Sequence, residues 1–182
     1  MSKKEILAKK LLEIGAIKFG RFILKSGRVS NYYVDIKYAS TIPDILKIIA
    51  EILSEKIKGY DIMAGIELGA VPLMAATSVI SGVPYIIIRK KQKEQGIRDR
   101  IIGDIRSGSK VVIVEDVTTT GGSALEVAEI ISSMGALVDK VVCVVDREEG
   151  AEKNLGDRGL KLDPVLRISD IKVSGLTSGE ET

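Results

Sequence analysis

The chain has 182 residues, with 27 lysines and arginines against 25 aspartates and glutamates and a formal net charge of +2. That length fits one domain with a sizeable core, and the interspersed charges give no bulk argument for a nucleic-acid partner. Histidine is absent, which excludes Ser-His-Asp and Cys-His mechanisms and the common histidine metal sites. The single cysteine, Cys143, excludes an intrachain disulfide and reads as an inert core residue within an apolar run. No apolar run approaches bilayer length, and the N-terminus leads into an amphipathic stretch rather than a signal peptide. A cytoplasmic chain without a membrane partner is therefore expected.

Ile6, Leu7, Leu11, Leu12 and Ile14 recur at helical spacing, predicting a helix over residues 3–15 that stops near Gly15. Phe19 to Leu24 and Tyr32 to Ile36 read as short strands, and Lys25-Ser26-Gly27-Arg28 between them supplies the turn of a hairpin or flap. Pro43 suits an early helix position, with helical periodicity from Ile45 to Ile57 and a stop at Gly59. Four apolar, β-branched runs follow, at Ile62–Ile66, Tyr85–Ile88, Val111–Val114 and Val141–Val145. Helical stretches at 71–81 and 123–134 separate most of them. Strands buried on both faces and alternating with helices predict an α/β chain with a parallel sheet, and ligands at the strands' carboxyl ends. We find no internal repeat and no dividing linker. Residues 1–40 form a candidate N-terminal hood segment, 41–173 the core, and the small polar tail 174–182 is expected to fray.

The most informative segment begins at Val111-Val112-Ile113-Val114. Glu115, Asp116, Val117, Thr118, Thr119, Thr120, Gly121, Gly122 and Ser123 follow, and then a helical pattern. This is a strand, an acidic strand end, a hydroxyl- and glycine-rich loop and a helix. Unpaired N–H groups and the dipole at a helix N-terminus suit a phosphate, and the glycines allow close backbone approach. Two adjacent carboxylates do not suit a phosphate alone. They suit the paired hydroxyls of a ribose, or a magnesium ion bridging sugar and pyrophosphate. Neither the Lys-Ser/Thr ending of a Walker A loop nor the three-glycine spacing of a dinucleotide fingerprint is present.

This string resembles the signature of the type I phosphoribosyltransferases. The resemblance implies their Rossmann-like parallel sheet flanked by helices, with a small hood at the N-terminus. It also implies that Glu115 and Asp116 hold the ribose hydroxyls of 5-phosphoribosyl 1-pyrophosphate while Thr118 to Ser123 wrap its 5′-phosphate. Further segments are similar to the orotate phosphoribosyltransferases, and the resemblance covers about residues 15–150. In Phe22 to Asp35 it implies a hood over the base that places Lys25, Tyr32 and Tyr33 at orotate. Read from the residues alone, Tyr32 and Tyr33 are strand residues with one ring in the core. In Arg89 to Gly96 the resemblance implies a mobile loop whose Arg89, Lys90 and Lys93 bind pyrophosphate. Many members have a histidine where this chain has Gln95. Gly96 and Gly103 flank the basic exit of that loop, and both would permit hinge motion. Asp146-Arg147-Glu148-Glu149-Gly150 implies an arginine, Arg147, that takes the orotate carboxylate through a two-pronged contact, supported by Thr119. The alternative is an arginine paired with Glu148 or Glu149. Leu68, Gly69 and Ala70 match the pyrophosphate-binding turn, where some orotate enzymes carry a lysine about at Gly69.

The expected activity is transfer of phosphoribose to orotate with Mg2+ held mainly by the substrates. Lys93 and Asp116 are the expected catalytic residues, and charge stabilisation dominates in the absence of histidine. The resemblance further implies a homodimer in which residues 89–103 serve the neighbouring site. A complex with the next enzyme of pyrimidine synthesis is a further possible partnership. Two alternatives remain at this point: a purine phosphoribosyltransferase, and a non-catalytic regulator that senses the same donor. A regulator calls for an added recognition helix or basic face, which the sequence lacks.

Overall fold

A computed structural model describes residues 1–23, 27, 29–90, 96 and 98–171. Helix α1 (Lys3–Glu13) opens on Ser2, whose hydroxyl accepts the Glu5 N–H while the Glu5 carboxylate accepts the Ser2 N–H. Gly15, at φ +69, lets the chain leave the helix. Strands β1 (Ile17–Ile23) and β2 (Val29–Val34) then pair antiparallel as a separate two-stranded sheet, the hairpin that the sequence predicts. The second strand starts and ends earlier than predicted. The Asp35 carboxylate accepts the Tyr38 N–H and opens a short helix, α2 (Ile36–Ala39), so capping overrides the strand preference of Ile36.

Pro43 begins α3 (Pro43–Lys56). The larger unit continues through β3 (Ile62–Ile66), α4 (Ala70–Ser81), β4 (Tyr85–Ile88), β5 (Ile101–Ile102), β6 (Lys110–Thr118), α5 (Gly122–Ser133), β7 (Leu137–Asp146), α6 (Ala151–Gly156) and β8 (Lys161–Arg167). Its sheet has the order β5-β4-β3-β6-β7-β8, parallel throughout except for the β4–β5 pair. The sequence did not predict β5, α6 or β8. Strand β5 has two residues, α6 has six, and β8 interrupts its apolar residues with Asp163 and Pro164. A proline is tolerated there because β8 is an edge strand.

Side-chain alternation explains why the central strands read as unbroken apolar runs. Val112, Val114, Val142 and Val144 face one core, against Leu11, Ile49, Leu53 and Met74 from α1, α3 and α4. Val111, Ile113, Val141 and Cys143 face a second core, against Val127 and Ile131 of α5 and Leu155 of α6. Each buried branched side chain contributes roughly 1.5–3 kcal/mol, so β6 and β7 are a main source of the fold's stability. Chain order reverses beside β3, which has β4 on one side and β6 on the other. The loops leaving β3 and β6 therefore diverge and open a crevice at the carboxyl ends of the strands. No helix among the described residues is long and apolar enough to cross a membrane.

Candidate active site

The crevice holds a cavity of about 320 Å3 whose lining includes Lys37, Glu67, Gly69, Lys90, Glu115, Asp116, Thr119 and Arg147. Strand β6 carries both acids. It extends to Thr118, four residues beyond the predicted apolar run, so Glu115 and Asp116 are strand residues, as read from the sequence, and Val117 and Thr118 continue the strand. Pairing of Glu115 with Cys143 and of Thr118 with Asp146 fixes their register. The chain then turns through Gly121 at φ +82, where an added Cβ would lie 3.0 Å from Leu155 Cγ. Helix α5 begins at Gly122 without a side-chain cap, leaving its first N–H groups available to an anion. Helix α4, which starts after Gly69 at the opposite side of the crevice, also has no side-chain cap. Two uncapped helix N-termini thus border one crevice, with two carboxyl groups near its floor.

Those carboxyls differ. Glu115 is buried, its Oε1 has no hydrogen-bond partner among the described residues, and its pKa is pushed up to about 8. Burial is the main cause and the adjacent Asp116 charge adds to it, while Lys37 opposes both. Asp116 accepts a hydrogen bond of 2.6 Å from Lys37 Nζ through Oδ2. On its other side it packs directly on the turn after β3: a Cβ at Gly69 would lie 2.3 Å from Asp116 Oδ2. Glu67, in the same turn, accepts the Lys90 N–H at 2.8 Å and so ties the turn to the end of β4.

Arg147 follows β7, and its N–H donates to the Thr118 carbonyl at 3.0 Å. Its side chain, 13% exposed, lies with Cζ 4.8 Å from the centroid of the Tyr32 ring. Nε is 2.8 Å from Glu149 Oε1, an ion pair without hydrogen-bond alignment. Nη2 approaches Ser30 Oγ at 3.4 Å. The Tyr32 hydroxyl donates toward the Arg147 carbonyl and Glu149 Oε1, each at 3.0 Å. Burial and the Glu149 carboxylate raise the Tyr32 pKa, against the lowering effect of Arg147. The hood and the Asp146–Gly150 turn therefore lock together through side chains from segments more than a hundred residues apart.

The predicted residues fall into distinct groups. Thr119 and Ser123 line the main cavity with Val117, and Gly121 and Gly122 border the adjoining cleft at the start of α5. Thr118 borders the same cleft, and its hydroxyl donates to the Asp146 carboxylate at 3.0 Å. Thr120 is exposed, and its carbonyl accepts Asn154 Nδ2. Tyr32 and Tyr33 point to opposite faces of β2, as alternation requires. Tyr32 packs inward beside Arg147, whereas the Tyr33 hydroxyl donates to Asp35 Oδ2 on the outer side. Leu68 and Gly69 line the cavity, and Ala70 is buried at the start of α4. Arg89 and Lys90 are exposed where the 89–103 segment leaves β4. Lys25, Lys93 and Gln95 lie outside the described residues, as does the tail 174–182. Arg100, read from sequence as part of a basic loop exit, is buried, with Nη2 at 2.6 Å from Glu126. Cys143 is buried, as expected, and its pKa is pushed up to about 12, chiefly by burial.

Lys37 and Glu67 are site residues that the sequence reading missed, whereas the pairing of Arg147 with Glu149 was its stated alternative. Lys37 alone carried a local signal, standing two residues after the capping Asp35 at the end of the hood strand.

The phosphoribosyl transferase domain family model matches residues 39–165. The orotate phosphoribosyltransferase of Methanocaldococcus jannaschii is 50% identical over 94% of this chain and 98% of its own length. Among solved structures, the Mycobacterium tuberculosis orotate phosphoribosyltransferase superposes with a TM-score of 0.81 at 31% identity, over 93% of this chain and 99% of that one. The Leishmania donovani UMP synthase reaches a TM-score of 0.86 at 30% identity, over all of this chain and 40% of that one. The likeness thus holds both in sequence and in shape. The chain belongs to the phosphoribosyltransferase family and, within it, to the orotate phosphoribosyltransferases.

Proposed function

We propose that this chain transfers the phosphoribosyl group of 5-phosphoribosyl 1-pyrophosphate to a ring nitrogen of orotate, giving orotidine 5′-monophosphate and pyrophosphate. The observation that carries this reading is the single cavity bounded by the Glu115–Ser123 segment on one side and Arg147 on another. A donor with a phosphate at one end and a pyrophosphate at the other matches two uncapped helix N-termini, at α5 and α4, with the ribose between them over Glu115 and Asp116. Thr119, Thr120 and Ser123 supply hydroxyls to the 5′-phosphate, and Gly121 and Gly122 let the backbone approach it. Leu68, Gly69 and Ala70 offer backbone to the pyrophosphate, with Arg89, Lys90 and Lys93 supplying positive charge.

At the anomeric carbon the bond to pyrophosphate breaks ahead of full bonding to the ring nitrogen, which leaves positive charge on the ribose. Asp116 stabilises that charge and, with the neutral Glu115, fixes the hydroxyls, and Lys93 balances the charge of the departing group. Arg147 turns from Glu149 to the orotate carboxylate, while Lys25 and the backbone at Tyr32 and Tyr33 cover the ring from the hood.

The acidic donor set suits Mg2+ only in part. Among the described residues no group of three metal-binding side chains occurs, so the ion would rest mainly on donor oxygens, with Glu115 and Asp116 the acids facing it. When bound, it would offset pyrophosphate charge. A homodimer is supported by the apolar side chains of Val79, 89% exposed, and Ile80 on α4, which the described residues leave uncovered. Partnership with the decarboxylase that acts next is supported by the likeness to part of a UMP synthase. A site with these properties belongs in the cytoplasm, beside the enzymes of pyrimidine synthesis.

The test is pyrophosphate release with orotate, uracil, adenine, hypoxanthine and xanthine supplied separately. Release with orotate alone is expected. Release with a purine and not orotate would overturn the acceptor assignment, and no release with any of them would overturn the activity.

A further inference from the structure

Helix α2 carries one residue that reaches from the hood into the donor side of the cavity. Lys37 spans 79 positions of sequence to place Nζ 2.6 Å from Asp116 Oδ2. The lysine side chain is 59% exposed and Asp116 10%, so the ammonium meets the carboxylate at the cavity surface rather than within the core. An ion pair with so exposed a partner contributes little to folding. Its position is more informative. Asp116 is held between two groups, the backbone at Gly69 and the Lys37 ammonium. An ammonium has three N–H donors, and the described contacts of Lys37 use one of them, on Asp116. The cavity lining carries Asp35, Glu67, Glu115 and Asp116 against Lys37, Lys90 and Arg147. A polyanion entering such a lining requires every available cation, and Lys37 stands beside the turn assigned to pyrophosphate.

We propose that Lys37 is a donor-binding residue, aiming Asp116 at the ribose hydroxyls and turning its remaining N–H groups to the pyrophosphate oxygens. This rests on the reading that the crevice takes 5-phosphoribosyl 1-pyrophosphate. The hood then serves donor as well as acceptor, since α2 belongs to the segment that carries Tyr32. A long flexible stem suits the task, because the ammonium can keep one contact on Asp116 while the others move to phosphate.

The test uses the full chain and Lys37→Gln and Lys37→Arg variants, with thermal unfolding as a control for folding. Donor binding is measured by calorimetry without acceptor, and KM and kcat by pyrophosphate release. Lys37→Gln should weaken donor binding and raise donor KM about tenfold or more, leaving orotate KM within about twofold. Lys37→Arg should recover most of the loss. Equal donor affinity in Lys37→Gln and the unaltered chain overturns the proposal, as does an arginine variant no better than glutamine. A second measurement needs no variant: acylation of Lys37, followed by mass spectrometry, should slow when donor is added and not when orotate is added. An unchanged rate also overturns it. Donor binding by the unaltered chain without transfer to orotate would overturn the acceptor assignment and leave the Lys37 role standing. An unaltered chain that binds no donor would overturn both.

Discussion

On the β6–α5 wall of the cleft, what faces the cavity is backbone N–H at a helix end and two acids seated in a strand buried on both faces. On the hood wall it is long side chains held by other side chains, with Arg147 resting on the Tyr32 ring and pairing with Glu149. The first wall is set before any ligand arrives, because moving it would break a parallel sheet. The second is a set of exchangeable contacts. Arg147 already has a carboxylate partner, so under the proposed function an acceptor carboxylate replaces Glu149 rather than filling an empty place. In the proposed function the donor meets preset backbone together with the Lys37 and loop cations, and the acceptor meets a swap between two carboxylates.

The strongest way to break this contrast is at the fork. Arg147→Lys keeps the charge and loses the planar pair of donors, so kcat/KM for orotate should fall about 100-fold. Donor affinity, measured by calorimetry, should stay unchanged. Equal losses for both substrates would show that the walls do not act separately.

A smaller effect tests the preset wall through pH. The folded chain holds a proton on Glu115 up to about pH 8, whereas the unfolded chain releases it near the ordinary value of 4.5. Folded protein thus binds more protons between those values. The stability this group contributes is intact at the acid end and is lost as pH rises through about 8. Glu115→Gln removes the loss, so urea unfolding at pH 9 should favour the variant by on the order of 1–3 kcal/mol. At pH 4 the two should unfold alike, and parallel profiles across the range would refute a buried, protonated Glu115.

The smallest effect concerns the hood. Tyr32→Phe keeps the ring under Arg147 and removes the hydroxyl bonds to the Arg147 carbonyl and Glu149. It should cost about 1 kcal/mol in thermal unfolding and raise orotate KM about threefold. A hood held mainly by packing would show neither change.

The same division decided what could be read in advance. Val111 to Ser123 is a contiguous segment whose strand, turn and helix are each coded locally, and its residues stand where the pattern puts them. Arg147 was likewise visible through its neighbours. Lys37 was not, because a lysine after a hairpin acquires meaning only when the hood meets the end of β6. Thr118 borders the cleft at the start of α5 and has a second partner that the pattern does not report. It lies inside a hydroxyl-rich string, yet β6 continues far enough to turn its side chain toward Asp146. Arg100, in the basic exit of the 89–103 segment, likewise has a partner outside that segment, Glu126. Local pattern reports composition, and the register of a strand decides which face a side chain takes.

Gly69 carries a consequence for how this crevice could be rebuilt. A side chain at 69 and the Asp116 carboxylate in its observed position claim the same volume. The two positions are mutually exclusive: the turn can bear a side chain, or the acid can lean on the turn. Mutagenesis that adds a cation at 69 must first re-aim Asp116, and in doing so releases Lys37 from its partner. Position 69 thus controls a charge that it never touches.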